Sequence, residues 1–178
     1  DKVNNNRVYT NLNIIEDRGD VGDCYTCQPP VTDFSITNLD GEEAFDILEE
    51  GPLRATIKIA TKLVLPKSIS QNGNSRSEET ITCPLLIYIS LNALSPRVDV
   101  RVIFENKAMD HHLRVGFFPR IPTEKVYVGG HFDIIERESR LPNGQEWLEK
   151  PSSIQPFRNF VALKDKNGGI AIFARGLL

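Results

Sequence analysis

The chain has 178 residues, 40% of them hydrophobic and 25% charged, with a net charge of −3 from 21 basic and 24 acidic side chains. That balance suits a globular domain able to bury its own core, and the absence of a basic face argues against nucleic acid or an anionic membrane as partner. With no run of about 18 apolar residues, no membrane-spanning helix is expected.

Taken in chain order, the polar start Asp1-Lys2-Val3-Asn4-Asn5-Asn6 is no signal peptide. The only methionine is Met109 and the chain ends on an apolar run, so both ends look cut from a longer polypeptide. Strands are expected over 8–16 and 31–37. Residues 42–50 could form one or two helical turns, too short to be stable alone. Leu53, Ala55, Ile57, Ile59, Leu63 and Leu65 alternate with Arg54, Thr56, Lys58 and Lys62, the period-two pattern of a strand with one buried face. The polar stretch 66–79 reads as a hairpin tip or loop.

Leu85 to Leu91 predicts a deeply buried strand, and Ser95-Pro96 turns the chain into a further alternating strand at Val98, Val100, Val102 and Phe104. Further strands are expected over 113–118, 126–135, 160–163 and 170–174, with a short helical turn over 145–150. Asn167-Gly168-Gly169 marks a tight hairpin between the last two. About nine strands with short connections predict an all-β fold: a large, mainly antiparallel sandwich forming a single domain over 1–178.

The densest candidate for chemistry is Glu16-Asp17-Arg18-Gly19-Asp20-Val21-Gly22-Asp23-Cys24-Tyr25, which follows a predicted strand. Its carboxylates could hydrogen-bond sugar hydroxyls or hold a hard cation, although the spacing is not that of an EF-hand; a solvated acidic turn is the alternative. Cys24-Tyr25-Thr26-Cys27 is a C-x-x-C pair, and Cys83 is the only other cysteine. Neither the further zinc ligands nor a flanking βα unit is present at the spacing a metal or redox motif requires, so two half-buried thiols are expected. So few cysteines also favour a reducing, cytoplasmic setting over a disulfide framework.

Asp110-His111-His112 is expected at a turn, and adjacent histidines on a strand point to opposite faces and cannot readily share one metal. His131, in Gly129-Gly130-His131-Phe132-Asp133, reads as a core histidine or, with Asp133, as an acid–base pair. Trp147 is either a sugar-stacking platform or a plug at an edge.

Several blocks together resemble a known family. Arg7-Val8-Tyr9-Thr10-Asn11-Leu12-Asn13 leading into Glu16–Asp23, Gly51-Pro52-Leu53-Arg54-Ala55, Ser95-Pro96-Arg97-Val98-Asp99-Val100-Arg101, Asp110-His111-His112-Leu113-Arg114-Val115, His131-Phe132-Asp133, Gln155-Pro156-Phe157-Arg158-Asn159-Phe160-Val161 and Ala174-Arg175-Gly176-Leu177 resemble, in this order, the C-terminal β-region of glycoside hydrolase family 38. The bacterial α-mannosidases, including the mannosylglycerate hydrolase type, are the most similar.

The resemblance implies a galactose-mutarotase-like sandwich that packs on an N-terminal catalytic domain of the same polypeptide and closes one side of its pocket. It implies hydrolysis of an α-mannoside with retention, by an aspartate nucleophile, an acid/base carboxyl and zinc, all in that other domain. No cofactor or metal is expected in this chain. In some members a tyrosine of the early loop hydrogen-bonds the mannose; Tyr25 matches that position, and Asp20 and Asp23 accompany it as substrate-binding candidates. Cys24 and Cys27 depart from the family pattern. The chain alone is then expected to be inactive. The alternatives are a freestanding carbohydrate-binding sandwich and a mutarotase-like epimerase using His131. A homo-oligomer stays open.

Overall fold

The computed structural model describes residues 8–10, 12–23, 25–149 and 151–174. Within them lie eleven strands: β1 (Ile14–Gly19), β2 (Ile36–Thr37), β3 (Ala44–Glu50), β4 (Arg54–Pro66), β5 (Thr80–Asn92), β6 (Val98–Phe104), β7 (His111–Gly116), β8 (Lys125–Gly129), β9 (Ile134–Glu138), β10 (Phe160–Asp165) and β11 (Gly168–Phe173). Among the described residues the one helical element is a 3-10 turn at Asn38–Asp40. All strand pairs are antiparallel. The fold is all-β, as the alternating pattern predicts.

Two compact units divide the chain: residues 11–117, and residues 1–10 with 118–178. The first is a sandwich of a three-stranded sheet, in the order β2-β1-β7, and a four-stranded sheet, in the order β3-β4-β5-β6. Ile15 from the smaller sheet meets Leu63, Leu65, Cys83, Leu85 and Ile87 from the larger, all at most 1% exposed. Cys83 acts here as a small apolar residue, a common role for a free thiol.

Beyond the smaller sheet, the inner face of the larger one continues as an apolar strip. Register places Phe45 opposite Ile59, Ile47 opposite Ile57, Leu91 opposite Val98 and Ile89 opposite Val100. Phe45, Ile47, Ile57, Leu91, Val98 and Val100 are all exposed. Together they form a contiguous exposed apolar strip, larger than singly scattered surface residues would make.

The second unit holds a four-stranded sheet in the order β11-β10-β8-β9. Phe160 packs on Phe173 across the β10–β11 pair with ring centroids 5.8 Å apart. The Tyr9 hydroxyl donates to the Gly169 carbonyl at 3.1 Å.

Several expected elements differ. Residues 42–50, expected as helical turns, contain β3, whose side chains pair across to β4. The strand expected over 126–135 is a hairpin, β8 and β9, with Gly129–Asp133 reversing the chain. Only Ile36–Thr37 of 31–37 pairs as a strand, and of 8–16 only the last residues do, since β1 runs Ile14–Gly19. Asn11, in that earlier range, lies outside the described residues, as does Lys150. The described part of 145–150 is irregular, with no helix. The last hairpin turns on Lys166-Asn167, and Gly168, at φ 132°, takes the backbone position that side chains avoid.

Candidate functional site

The candidate site lies in the 11–117 unit, where the chain leaves β1. Alternation along β1 sends Asp17 inward and Glu16 and Arg18 outward. A buried carboxylate without partners is costly, so its surroundings must supply donors. Asp17, fully buried, is paired with the Arg76 guanidinium and His111 Nδ1. Arg76 also donates to the Phe34 carbonyl at 3.3 Å and lies 5.3 Å over the Phe34 ring. His111 Nε2 meets Asn106 Oδ1 at 3.1 Å. This network joins β1, the segment before β2, the β4–β5 connection and β7.

Above it sits the loop 20–28. The Asp20 N–H donates to the Asp110 carbonyl at 2.9 Å, and the Val21 N–H to the Gln28 carbonyl at 2.8 Å, which closes the loop at its base. Asp20 Oδ1 accepts from the N–H groups of Gly22 (2.8 Å) and Gln28 (2.9 Å). Asp23 Oδ1 accepts from those of Tyr25 and Thr26, both at 2.8 Å. Such local bonds are the usual way aspartate shapes a turn. Gly22 is required by space: a methyl there would sit 1.8 Å from the Thr26 carbonyl oxygen. Tyr25 projects from this braced loop with 93% of its surface exposed.

On the outer face, the pairing of Arg18 with His112 brings β7 beneath the loop. Cys27 Sγ lies 2.8 Å from His112 Nδ1. Burial raises the Cys27 thiol above its ordinary value, and the neighbouring Asp20 charge and hydrogen bond add to the rise. For Asp20 burial works against the charge, but the N–H groups of Gln28 and Gly22, the Cys27 thiol and His112 together hold its carboxyl below the ordinary value. Glu16 is also held low: the hydrogen bond from Arg18 leads and partial burial opposes it, with Arg114 adding its charge.

The structure therefore brings Asp20, Asp23 and Tyr25 onto one loop, with a carboxylate oxygen of each aspartate bonded to its own backbone. Cys24 lies outside the described residues, so the C-x-x-C pair is seen only through Cys27, a thiol outside any disulfide whose residue is exposed while its sulfur packs against Asp20 and His112. His111 and His112 do point to opposite faces, but they open β7 instead of forming a turn; the turn is at Asp110, with φ 54°. His131 is not in a core. It sits exposed in the β8–β9 turn, and the Asp133 carboxylate accepts the Ile134 N–H at 2.6 Å. Trp147 is 55% exposed. Arg76 and the meeting of Cys27 with His112 are not foreseen from sequence. The only signal for Arg76 was an arginine within an otherwise uncharged loop stretch, 68–77.

Among the described residues one group of three potential metal donors converges: Asp20, Cys27 and His112. No helix of the described residues is long and apolar enough to cross a membrane.

Comparison with known proteins bears on this arrangement. Residues 1–176 match the model of the glycosyl hydrolases family 38 C-terminal domain. A protein of Halalkalibacterium halodurans named "Putative mannosylglycerate hydrolase" is 25% identical over 191 aligned positions, covering 95% of this chain and 20% of that protein. Two solved structures from Enterococcus faecalis share the fold: an alpha-mannosidase (TM-score 0.82, 22% identity) and a protein in glycosyl hydrolase family 38 (TM-score 0.80, 21% identity). Each match covers 93% of this chain and 20% of the other, so the chain spans about one fifth of the length of these relatives.

Proposed function

We propose, from the fact that this chain belongs to the glycosyl hydrolases family 38 C-terminal domains, that it is a β-region of a larger α-mannosidase and lines one side of its sugar pocket. In this reading hydrolysis of the α-mannosidic bond proceeds with retention and uses two carboxyl groups of an N-terminal catalytic domain in the same polypeptide. Zinc belongs to that domain as well, and this chain supplies none of its ligands. What this chain contributes is position. Tyr25 presents a phenol that both donates and accepts, suited to a sugar hydroxyl. Asp20 and Asp23 line the same edge of the pocket and hold the loop that carries Tyr25.

The observation that carries this reading is the contrast within one loop. Asp20 and Asp23 each commit an oxygen to the local backbone, while Tyr25 is left 93% exposed on a segment braced from beneath. The open apolar strip at Phe45, Ile47, Leu91 and Val98 offers a face for the catalytic domain to cover.

The test is Tyr25→Phe in the longer polypeptide. Loss of one hydrogen bond to bound mannose should lower kcat/KM about five- to tenfold, chiefly through KM. Unchanged kinetics would remove Tyr25 from the pocket. A freestanding sugar-binding module is favoured only by the half-exposed Trp147; mannose titration that quenched its fluorescence in the chain alone would support that reading instead.

A further inference from the structure

We propose that Asp20, Cys27 and His112 form a binding site for a divalent cation of the zinc type, joining the loop 20–28 to β7. One carboxylate oxygen, one sulfur and one imidazole nitrogen lie within 4.8 Å of one another. They come from two segments 85 residues apart in sequence, Cys27 and His112, brought together by the β1–β7 register.

The donor set selects the ion. Sulfur and nitrogen donors disfavour calcium and magnesium, which take oxygen, and suit zinc or its cobalt surrogate. Zinc–ligand bonds of about 2.0–2.3 Å at tetrahedral angles place neighbouring donors roughly 3.5 Å apart. Cys27 and His112, now at 2.8 Å, need only separate by a fraction of an ångström, on a loop whose Cys27 is exposed. Asp20 is already oriented, because the N–H groups of Gly22 and Gln28 fix its Oδ1 as outer-shell donors fix a metal-bound carboxylate.

A cysteine–histidine nucleophile is the competing reading. It fails on the placement of the acid. Asp20 bonds the Cys27 thiol rather than the far nitrogen of His112, so its charge opposes a bare thiolate. A cation removes that conflict: the thiol proton leaves to solvent as the metal–sulfur bond forms, and the carboxylate becomes a ligand instead of a repelling neighbour. Among the described residues three donors converge, which fills three of the four positions of a tetrahedral site. The inference does not depend on the glycosidase reading, since the three side chains lie wholly within this chain.

Titration of cobalt(II) into the 178-residue chain tests it. The expected result is a thiolate-to-cobalt charge-transfer band with the visible bands of a tetrahedral site, saturating at one equivalent and displaced by zinc. Cys27→Ser should abolish the charge-transfer band and His112→Ala should weaken binding at least about tenfold, while Cys83→Ser, at a buried core position, leaves the band in place. Absence of the band, its survival in Cys27→Ser, or its loss in Cys83→Ser would overturn the assignment. Alkylation of the unaltered chain gives an answer that needs no variant to fold. Zinc should protect Cys27, mapped by mass spectrometry; equal labelling of Cys27 with and without zinc would overturn the site.

Discussion

Asp17 of β1 and Arg76 of the β4–β5 connection face each other as an ion pair whose side chains are 0% and 1% exposed. Asp17 lies three residues before the loop that presents Tyr25, and His111 shares the same carboxylate. Charge this deeply buried is tolerated only because each member is partnered, which makes the pair a sensitive point of the fold.

Removing one member should therefore be far more damaging than replacing both. Arg76→Met alone leaves the buried Asp17 carboxylate with His111 as its remaining partner and should destabilise the chain by about 3 kcal/mol. The double variant Asp17→Leu with Arg76→Met should recover a large part of that loss. Denaturant unfolding of the two variants checks this; equal destabilisation would show that the network is not acting as a unit.

Gly22→Ala should disturb the loop without disturbing the core. A methyl group there meets the Thr26 carbonyl oxygen, so the loop must rearrange, while no residue of the sandwich core touches the position. The thermal midpoint should move little, and kcat/KM of the longer polypeptide should fall by at least as much as in Tyr25→Phe. Wild-type kinetics in Gly22→Ala would mean that the loop's shape is irrelevant to the pocket.

Two apolar substitutions should separate core from interface. Leu85→Ala, at a fully buried site, should cost about 2–5 kcal/mol in any context. Val98→Ser, on the open strip, should change the stability of the chain alone by less than about 0.5 kcal/mol. In the longer polypeptide the same change should lower the unfolding midpoint, because the strip is then covered. Identical small effects in both settings would leave the strip without a partner.

Acid should remove a small, specific contribution at Glu16. The hydrogen bond from Arg18 and the charge of Arg114 hold the Glu16 carboxyl below its ordinary value near 4.5. A group whose folded pKa is depressed stabilises fully above its unfolded value, and the gain is lost as pH falls through the folded one. Because these ion pairs are largely solvated, the loss should be under about 1 kcal/mol. Glu16→Gln should lower stability by that same amount at neutral pH and flatten the profile below pH 4.5, so that the two proteins converge in acid.

The fold was legible where one face of a strand is buried and the pairing is regular. Val98 to Phe104 is an example, and β6 spans just those residues. It was illegible where local irregularity imitates another period. In Ala44–Glu50 a register shift between Ile47 and Glu49 places Phe45, Ile47 and Leu48 at a spacing that looks helical. In the range 31–37, Asp33 replaces a ladder bond by accepting the Gly19 N–H through its side chain, so most of that segment never pairs. That Asp20, Asp23 and Tyr25 share one loop could be read from sequence, because they are neighbours along the chain. The Cys27–His112 contact could not, since it exists only through the register that sets Arg18 opposite His112.

The most direct measurement is turnover of an aryl α-mannoside by the purified 178-residue chain beside the longer polypeptide under the same conditions. If this chain is one wall of a pocket completed elsewhere, the longer protein hydrolyses the substrate and the chain alone shows no rate above buffer. Hydrolysis by the isolated chain, abolished by substitution of its own carboxylates, would contradict that claim.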